Sequence, residues 1–144
     1  MSDIRNDWSV QEISEIYHSP LLDLVYRAAT VHRQFHQPSE VQVCTLLSVK
    51  TGGCPEDCAY CPQAARYHTD VKAHKLLDVD IVLGKAREAK DNGSTRFCMG
   101  AAWRAPKDRD IEKVGELIAA VKGLGLQSCA TLGMLAPHQA QALR

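Results

Sequence analysis

Three cysteines that lie close together are the residues of this chain whose type and spacing best suit chemistry. Cys54, Cys58 and Cys61 fall within eight residues, with three residues between the first two and two between the last two. Thiolates are soft ligands that bind zinc, copper(I) and iron–sulfur clusters. Three neighbouring cysteines cannot all pair with one another as disulfides, and a reducing compartment disfavours disulfides in any case. The spacing therefore predicts metal ligation.

The spacing alone leaves the kind of metal site open. A structural zinc site takes four protein ligands, and the fourth would come from His68 or His74. Three thiolates on a four-iron cluster would instead leave one iron open, and an open metal position is where chemistry occurs. The spacing favours the iron–sulfur interpretation and keeps zinc as the alternative.

The hydrophobic pattern predicts two helices followed by three repeats of a strand and a helix. Apolar residues at steps of three and four predict helices in the first forty residues, after residue 79, around 111–121 and after Pro137. Alternating residues predict the strands, and their ranges are 41–49, 95–101 and 126–132. The segment 51–67, which holds the three cysteines, is predicted to be an ordered loop at the end of the first strand.

Strands that alternate with helices predict a parallel sheet in an α/β fold. Such folds place their active sites at the carboxyl ends of the strands, where the cysteine loop lies. We predict the N-terminal part of a (β/α)8 TIM-type barrel, with an N-terminal helical segment, 1–40, and a partial barrel domain, 41–144. A complete barrel needs about 250 residues, so we expect the chain of 144 residues to be truncated after about three strands. The alternative is a small three-stranded domain.

The composition excludes several classes of function. Seventeen basic residues balance 17 acidic ones, whereas a nucleic-acid-binding protein needs a surplus of positive charge. No apolar run approaches the ~18 residues of a membrane helix, and the polar, acidic N-terminus does not resemble a secretory signal. We therefore expect a cytoplasmic protein that binds neither nucleic acid nor a membrane.

The cysteine loop resembles the signature of a known superfamily. The run CPEDCAYCPQ, residues 54–63, is similar to the signature of the radical S-adenosylmethionine enzymes. The longer stretches 41–67, 93–104 and 129–135 narrow this resemblance to the biotin synthase family, and it covers almost the whole chain.

The resemblance implies a role for each residue of the loop. Cys54, Cys58 and Cys61 would hold a 4Fe–4S cluster whose open iron is chelated by S-adenosyl-L-methionine. Tyr60 would lie against the adenine end of that cofactor. One electron from the cluster would split the cofactor into methionine and a 5′-deoxyadenosyl radical, which abstracts hydrogen from unactivated C–H bonds. The cofactors carry this chemistry, so no protein side chain is assigned as catalytic.

The resemblance also implies a second, 2Fe–2S cluster that supplies sulfur, with Cys98 and Cys129 matching two of its ligands. Side-chain alternation places Cys98 on one face of its strand with Arg96 and Gly100, and neighbouring strands would aim both thiols into one cavity. Without the resemblance, a strand cysteine is more often a small buried apolar residue. Arg96 is a candidate for stabilising the cluster electrostatically. Cys44, two strand positions before Leu46, is not assigned as a ligand.

The function implied by the resemblance is that of a sulfurtransferase that converts dethiobiotin to biotin. Reducing flavodoxin or ferredoxin would supply electrons, and the full-length protein would be a homodimer. The further ligands of the second cluster and most substrate contacts are expected after residue 144, so these 144 residues alone are expected to be inactive. The alternatives are another radical S-adenosylmethionine enzyme acting on a different small molecule, and a non-enzymatic iron–sulfur or zinc-binding module.

Overall fold

Two helices make up the first unit of the chain, which ends at Val41. The computed structural model describes residues 5–144; residues 1–4, which the predicted segment 1–40 includes, lie outside the described residues. Helix α1 spans Val10–Tyr17 and helix α2 spans Leu21–Phe35. Neither helix has a buried residue, and most of the large apolar side chains of α2 are exposed.

A capping box determines where α1 begins. The Ser9 hydroxyl accepts a hydrogen bond from the Glu12 N–H at 3.3 Å, and the Glu12 carboxylate accepts one from the Ser9 N–H at 2.9 Å. The bonds from Ser9 and the neighbouring Arg5 lower the pKa of Glu12 to about 2. The first turn of α1 is therefore stabilised by local sequence, without tertiary burial.

A three-stranded parallel sheet organises the second unit, which runs from Gln42 to Arg144. Its strands lie in chain order and are β1, Cys44–Lys50; β2, Arg96–Ala101; and β3, Gln127–Thr131. Its helices are α3, Val79–Asp91; α4, Asp108–Gly123; and α5, Pro137–Ala142. The predicted α/β class, the parallel sheet and the order of the elements are confirmed.

The first strand begins later than its alternating sequence predicts. Val41 and Val43 are exposed and precede the strand, because the first partner that β2 offers is Arg96, opposite Cys44. The Val43 carbonyl still accepts hydrogen bonds from the N–H groups of Thr95 and Arg96, at 3.0 and 3.3 Å, but Val43 has no register partner. A strand requires a ladder of paired residues as well as an alternating pattern.

One face of the sheet forms the core with α3 and α4. Phe97, Met99 and Val49 are almost completely buried on this face, where they pack in one cluster with Val82 of α3 and Leu117 of α4. The small residues Ala86 and Ala89 complete the surface that α3 presents to the cluster. The core thus takes Phe97 and Met99 from one face of β2 and Val49 from the same face of β1.

The other residues of the strands form the open face of the sheet, which no helix of this unit covers. In register across the three strands, its residues are Cys44, Arg96 and Gln127; Leu46, Cys98 and Cys129; and Ser48, Gly100 and Thr131. These three rows lead from the amino ends of the strands to their carboxyl ends. Within residues 5–144, no helix has the length and apolar character needed to cross a membrane.

Candidate functional site

The cysteine loop leaves the carboxyl end of β1 and folds back on itself. Cys54 is buried and forms an isolated parallel bridge with Ala64. Its N–H donates to the Gln63 carbonyl at 3.0 Å, and its carbonyl accepts from the Ala65 N–H at 2.7 Å. Hydrogen bonds on both sides therefore fix the backbone of the first cysteine.

The second and third cysteines lie on turns of the same loop. The Cys61 N–H donates to the Cys58 carbonyl at 3.2 Å, and the Ala64 N–H donates to the Cys61 carbonyl at 3.2 Å. Cys58 is exposed and Cys61 is half-buried, and both are free thiols. Across residues 5–144, no three or more His, Cys, Asp or Glu side chains lie close enough together to hold one metal ion. The structure therefore places the three thiols on one loop without gathering them around a common point.

The chemistry of these donors nevertheless fits a metal centre. Cys54 and Cys61 line the same cavity, and three free thiols on one loop form a soft donor set that suits iron sulfide or zinc. His68 and His74, the alternative fourth ligands for zinc, are both exposed, and His74 Nδ1 lies 2.9 Å from the Lys75 carbonyl. Neither histidine joins the cysteines in a ligating cluster within the described part of the chain.

A cavity of about 290 Å³ lies between the cysteine loop and the carboxyl ends of the strands. The open face of the sheet forms its floor through Leu46, Ser48, Gly100 and Thr131. The rest of the lining comes from the loop, through Cys54, Cys61 and Gln63, and from residues 101–103, at the end of β2 and just after it. Its position at the carboxyl ends of parallel strands is where α/β folds bind ligands.

A second pair of thiols lies deeper on the open face. Cys98 and Cys129 are direct register partners in β2 and β3, and both are half-buried. They stand one row below Gly100 and Thr131, which line the cavity. Burial raises the pKa of the Cys98 thiol, the neighbouring Cys129 thiol raises it further, and Arg96 opposes both effects. The structure thus brings these two predicted residues together, while their role as ligands stays a prediction.

The row below this pair contains a polar network. The Arg96 guanidinium donates through Nε and Nη2 to Gln127 Oε1 at 3.2 and 3.0 Å. Gln42 Nε2 donates to the same oxygen at 2.9 Å. Arg96 is therefore held beside Cys98 by a neutral partner, and its positive charge is available to the thiol pair.

Tyr60 lies on the outside of the cysteine loop. Its side chain is 90% exposed, so nothing in this unit buries its aromatic ring. Its predicted place beside the adenine of a cofactor stays a prediction.

Sequence reasoning missed Lys50, the last residue of β1. Its ammonium donates to the carbonyl oxygens of Gly52 and Ala102, the latter at 2.8 Å. These carbonyls belong to the cysteine loop and to the segment after β2, which both border the cavity. The only sequence signal was a lysine directly after the predicted strand 41–49, and a solvent-exposed lysine would give the same signal.

Comparison with known proteins gives one consistent result. Proteins named biotin synthase from Cytophaga hutchinsonii, Paracidovorax citrulli and Xylella fastidiosa are 65%, 66% and 63% identical to this chain. The alignments cover 100%, 95% and 98% of the chain but only 43%, 39% and 41% of those proteins. The chain matches their N-terminal part and so spans about two fifths of their length. No family model matches the chain.

Proposed function

We propose that this chain, which is similar along its whole length to the N-terminal part of biotin synthases, works within a radical S-adenosylmethionine enzyme that inserts sulfur into dethiobiotin. One observation carries the proposal. A loop of three free thiols borders a cavity at the carboxyl ends of the strands, and a second thiol pair stands one row below that cavity.

The cysteine loop is the proposed site of a 4Fe–4S cluster. Cys54, whose backbone is hydrogen-bonded on both sides, is the fixed ligand, and Cys58 and Cys61 follow on the next turns. Together with S-adenosylmethionine, such a cluster supplies a one-electron cleavage that yields an organic radical able to abstract hydrogen from unactivated C–H bonds. Tyr60 would lie beside the adenine of S-adenosylmethionine.

Cys98 and Cys129 are the proposed ligands, from this chain, of a 2Fe–2S cluster that donates sulfur. The cavity separates them from the cysteine loop along the direction of the strands. A small substrate held there would be reached from the loop on one side and from the thiol pair on the other. Proximity of this kind converts two bimolecular encounters into steps within one bound complex.

The remaining features belong to the whole protein. We propose that residues 41–144 contribute the first strands of a (β/α)8 barrel and that the helical segment 1–40 precedes it. Reducing flavodoxin or ferredoxin would supply the electrons, and the active form would be a cytoplasmic homodimer. The similarity to biotin synthases supports these proposals because the alignment covers the whole chain.

The test is anaerobic reconstitution of the protein that contains this chain with iron and sulfide, followed by titration with S-adenosylmethionine. We expect a brown protein whose reduced-cluster EPR signal shifts as S-adenosylmethionine is added. An EPR signal that does not shift when S-adenosylmethionine is added would indicate an electron carrier. A colourless protein that retains zinc and unfolds on chelation would indicate a structural zinc module.

A further inference from the structure

Lys50 connects the two segments that border the cavity. Its ammonium donates to the Gly52 carbonyl, at the start of the cysteine loop, and to the Ala102 carbonyl, just after β2. Its own backbone carbonyl accepts a hydrogen bond from the Ala102 N–H at 2.8 Å. One residue therefore ties both segments together, through its backbone and through its side chain.

The regular sheet ends where Lys50 acts. The pairing of β1 with β2 shifts register between Ser48 and Lys50, so that Lys50 lies opposite Ala101, although Ser48 lies opposite Gly100. Beyond Lys50 no strand ladder continues to hold the two chain segments in register. A charged donor that reaches two carbonyls replaces the ladder, since hydrogen bonds from ionised groups are stronger than neutral ones.

Gly52 transmits this restraint to the first cysteine. It is buried and has φ +67°, and a Cβ at this position would lie 2.8 Å from Ala73 Cα. Its N–H donates to the Gln63 side-chain oxygen at 3.0 Å, and the Gln63 carbonyl accepts the Cys54 N–H at 3.0 Å. Lys50, Gly52, Gln63 and Cys54 thus form one continuous series of contacts.

We propose that Lys50 is a positioning residue: its ammonium, by bridging the Gly52 and Ala102 carbonyls, fixes the part of the loop that presents Cys54 to the cavity. The proposal rests on the proposed function for its purpose, since a cluster ligand must be held in place. The claim that Lys50 holds the loop in place concerns the metal-free protein, and the first experiment tests that claim without any metal.

The first experiment measures hydrogen exchange in the metal-free protein with Lys50→Met, which keeps a long apolar chain and removes the donors. We expect the amides of Cys54 and Ala65 to exchange about tenfold faster or more, because their hydrogen bonds close the loop. The amides of Phe97 and Leu117 in the core should keep their protection, which a general loss of stability would not allow. Lys113→Met, at an exposed position on α4, is the matched control.

The second experiment measures iron and sulfide uptake during anaerobic reconstitution. Lys50→Met should acquire its loop cluster severalfold more slowly than Lys113→Met, and Lys50→Arg, which keeps a cationic donor, should recover most of the rate. Loop exchange and iron uptake equal to those of Lys113→Met would overturn the proposal. If the core amides of Lys50→Met also lose protection, the measurement is repeated with Lys50→Gln. Loop amides that exchange in Lys50→Gln at the rate seen in Lys113→Met would overturn the proposal as well.

The two proposals fail in different ways. If the unsubstituted protein takes up no iron, the proposed function fails, while the exchange measurement still decides whether Lys50 holds the loop. If the unsubstituted protein binds a cluster that responds to S-adenosylmethionine and Lys50→Met behaves identically, only the role of Lys50 is wrong.

Discussion

Cys98 and Cys129 lie directly opposite one another in neighbouring parallel strands, on the face of the sheet that the helices leave open. Each thiol is half-buried. Thirty-one residues of sequence separate them, but the sheet register places them side by side. This register is the relationship on which their proposed role as ligands of one cluster rests.

Substitution of Cys98 should affect only one of the two proposed clusters. Because Cys98 lies in β2 and the three proposed ligands of the first cluster lie on the loop, Cys98→Ala in the protein that contains this chain should spare the loop cluster and abolish the proposed biotin formation. Mössbauer spectra with iron and sulfide analysis would count each cluster.

Cys44→Ala is the matched control for that substitution. Cys44 is another thiol on the open face, one row from Cys98 and opposite Arg96. The control should keep both clusters. Loss of both clusters in Cys98→Ala would show that the residue is mainly structural.

Gly133 should be intolerant of a side chain. It has φ +82°, and a Cβ there would lie 2.6 Å from the Trp103 carbonyl oxygen and closer still to that of Arg104. Both contacts are with backbone, which cannot rotate away, so Gly133→Ala should destabilise the protein by about 1–3 kcal/mol. Urea unfolding at equilibrium measures this loss.

Gly84→Ala is expected to change the free energy of unfolding in the opposite direction. Gly84 lies within α3, and a Cβ there meets nothing within 4 Å. Alanine should therefore stabilise the helix by roughly 0.5–1 kcal/mol. Equal effects of the two substitutions would contradict the assignment of the Gly133 effect to its backbone contacts.

The start of α4 should make stability depend on pH in acid. Asp108 Oδ1 lies 2.9 Å from His138 Nε2 and accepts a hydrogen bond from Gln139 Nε2 at 2.7 Å. These two contacts, that of His138 first, lower the pKa of Asp108. A carboxyl group whose pKa is lower in the folded state stabilises the fold above its unfolded pKa of about 3.9, and this stabilisation is lost as the pH falls through the folded value.

Asp108→Asn should therefore lower the urea midpoint near neutral pH, and its difference from the unsubstituted protein should shrink as the pH falls below about 4. Glu116→Gln, at an exposed position on the same helix, is the control. A difference between Asp108→Asn and the unsubstituted protein that stays constant down to pH 2 would argue against the ionised carboxylate as its source.

The core under the helices should depend strongly on Phe97, whose side chain is completely buried between the sheet, α3 and α4. Phe97→Ala removes most of that side chain from a packed interior and should cost about 3–5 kcal/mol in the free energy of unfolding. Ile81→Ala, a half-exposed position on α3, should change it by about 0.5 kcal/mol. Denaturant unfolding of both variants tests the contrast, and a similar cost at the two sites would be inconsistent with this core.

Local pattern was sufficient to predict the order and type of the elements. The alternation of Phe97 and Met99 with Cys98 predicted which residues of β2 share a face, and the structure buries the first two against the helices. Gly93, with φ +88°, comes two residues after the end of α3, where a left-handed conformation costs little because the residue is glycine. These features follow from side-chain periodicity and backbone sterics, which depend only on the local sequence.

Tertiary structure alone decided the start of β1, the course of the cysteine loop and the part played by Lys50. Val41 has the alternating pattern of a strand but no partner, because pairing depends on where the neighbouring strand begins. Lys50 reaches the Ala102 carbonyl across 52 residues of chain, and Gly133 approaches Arg104 across 29. The sequence determined the identity and order of the chemical groups. The packing of segments distant in the chain decided which groups meet, because such a contact depends on the path of all the residues between them.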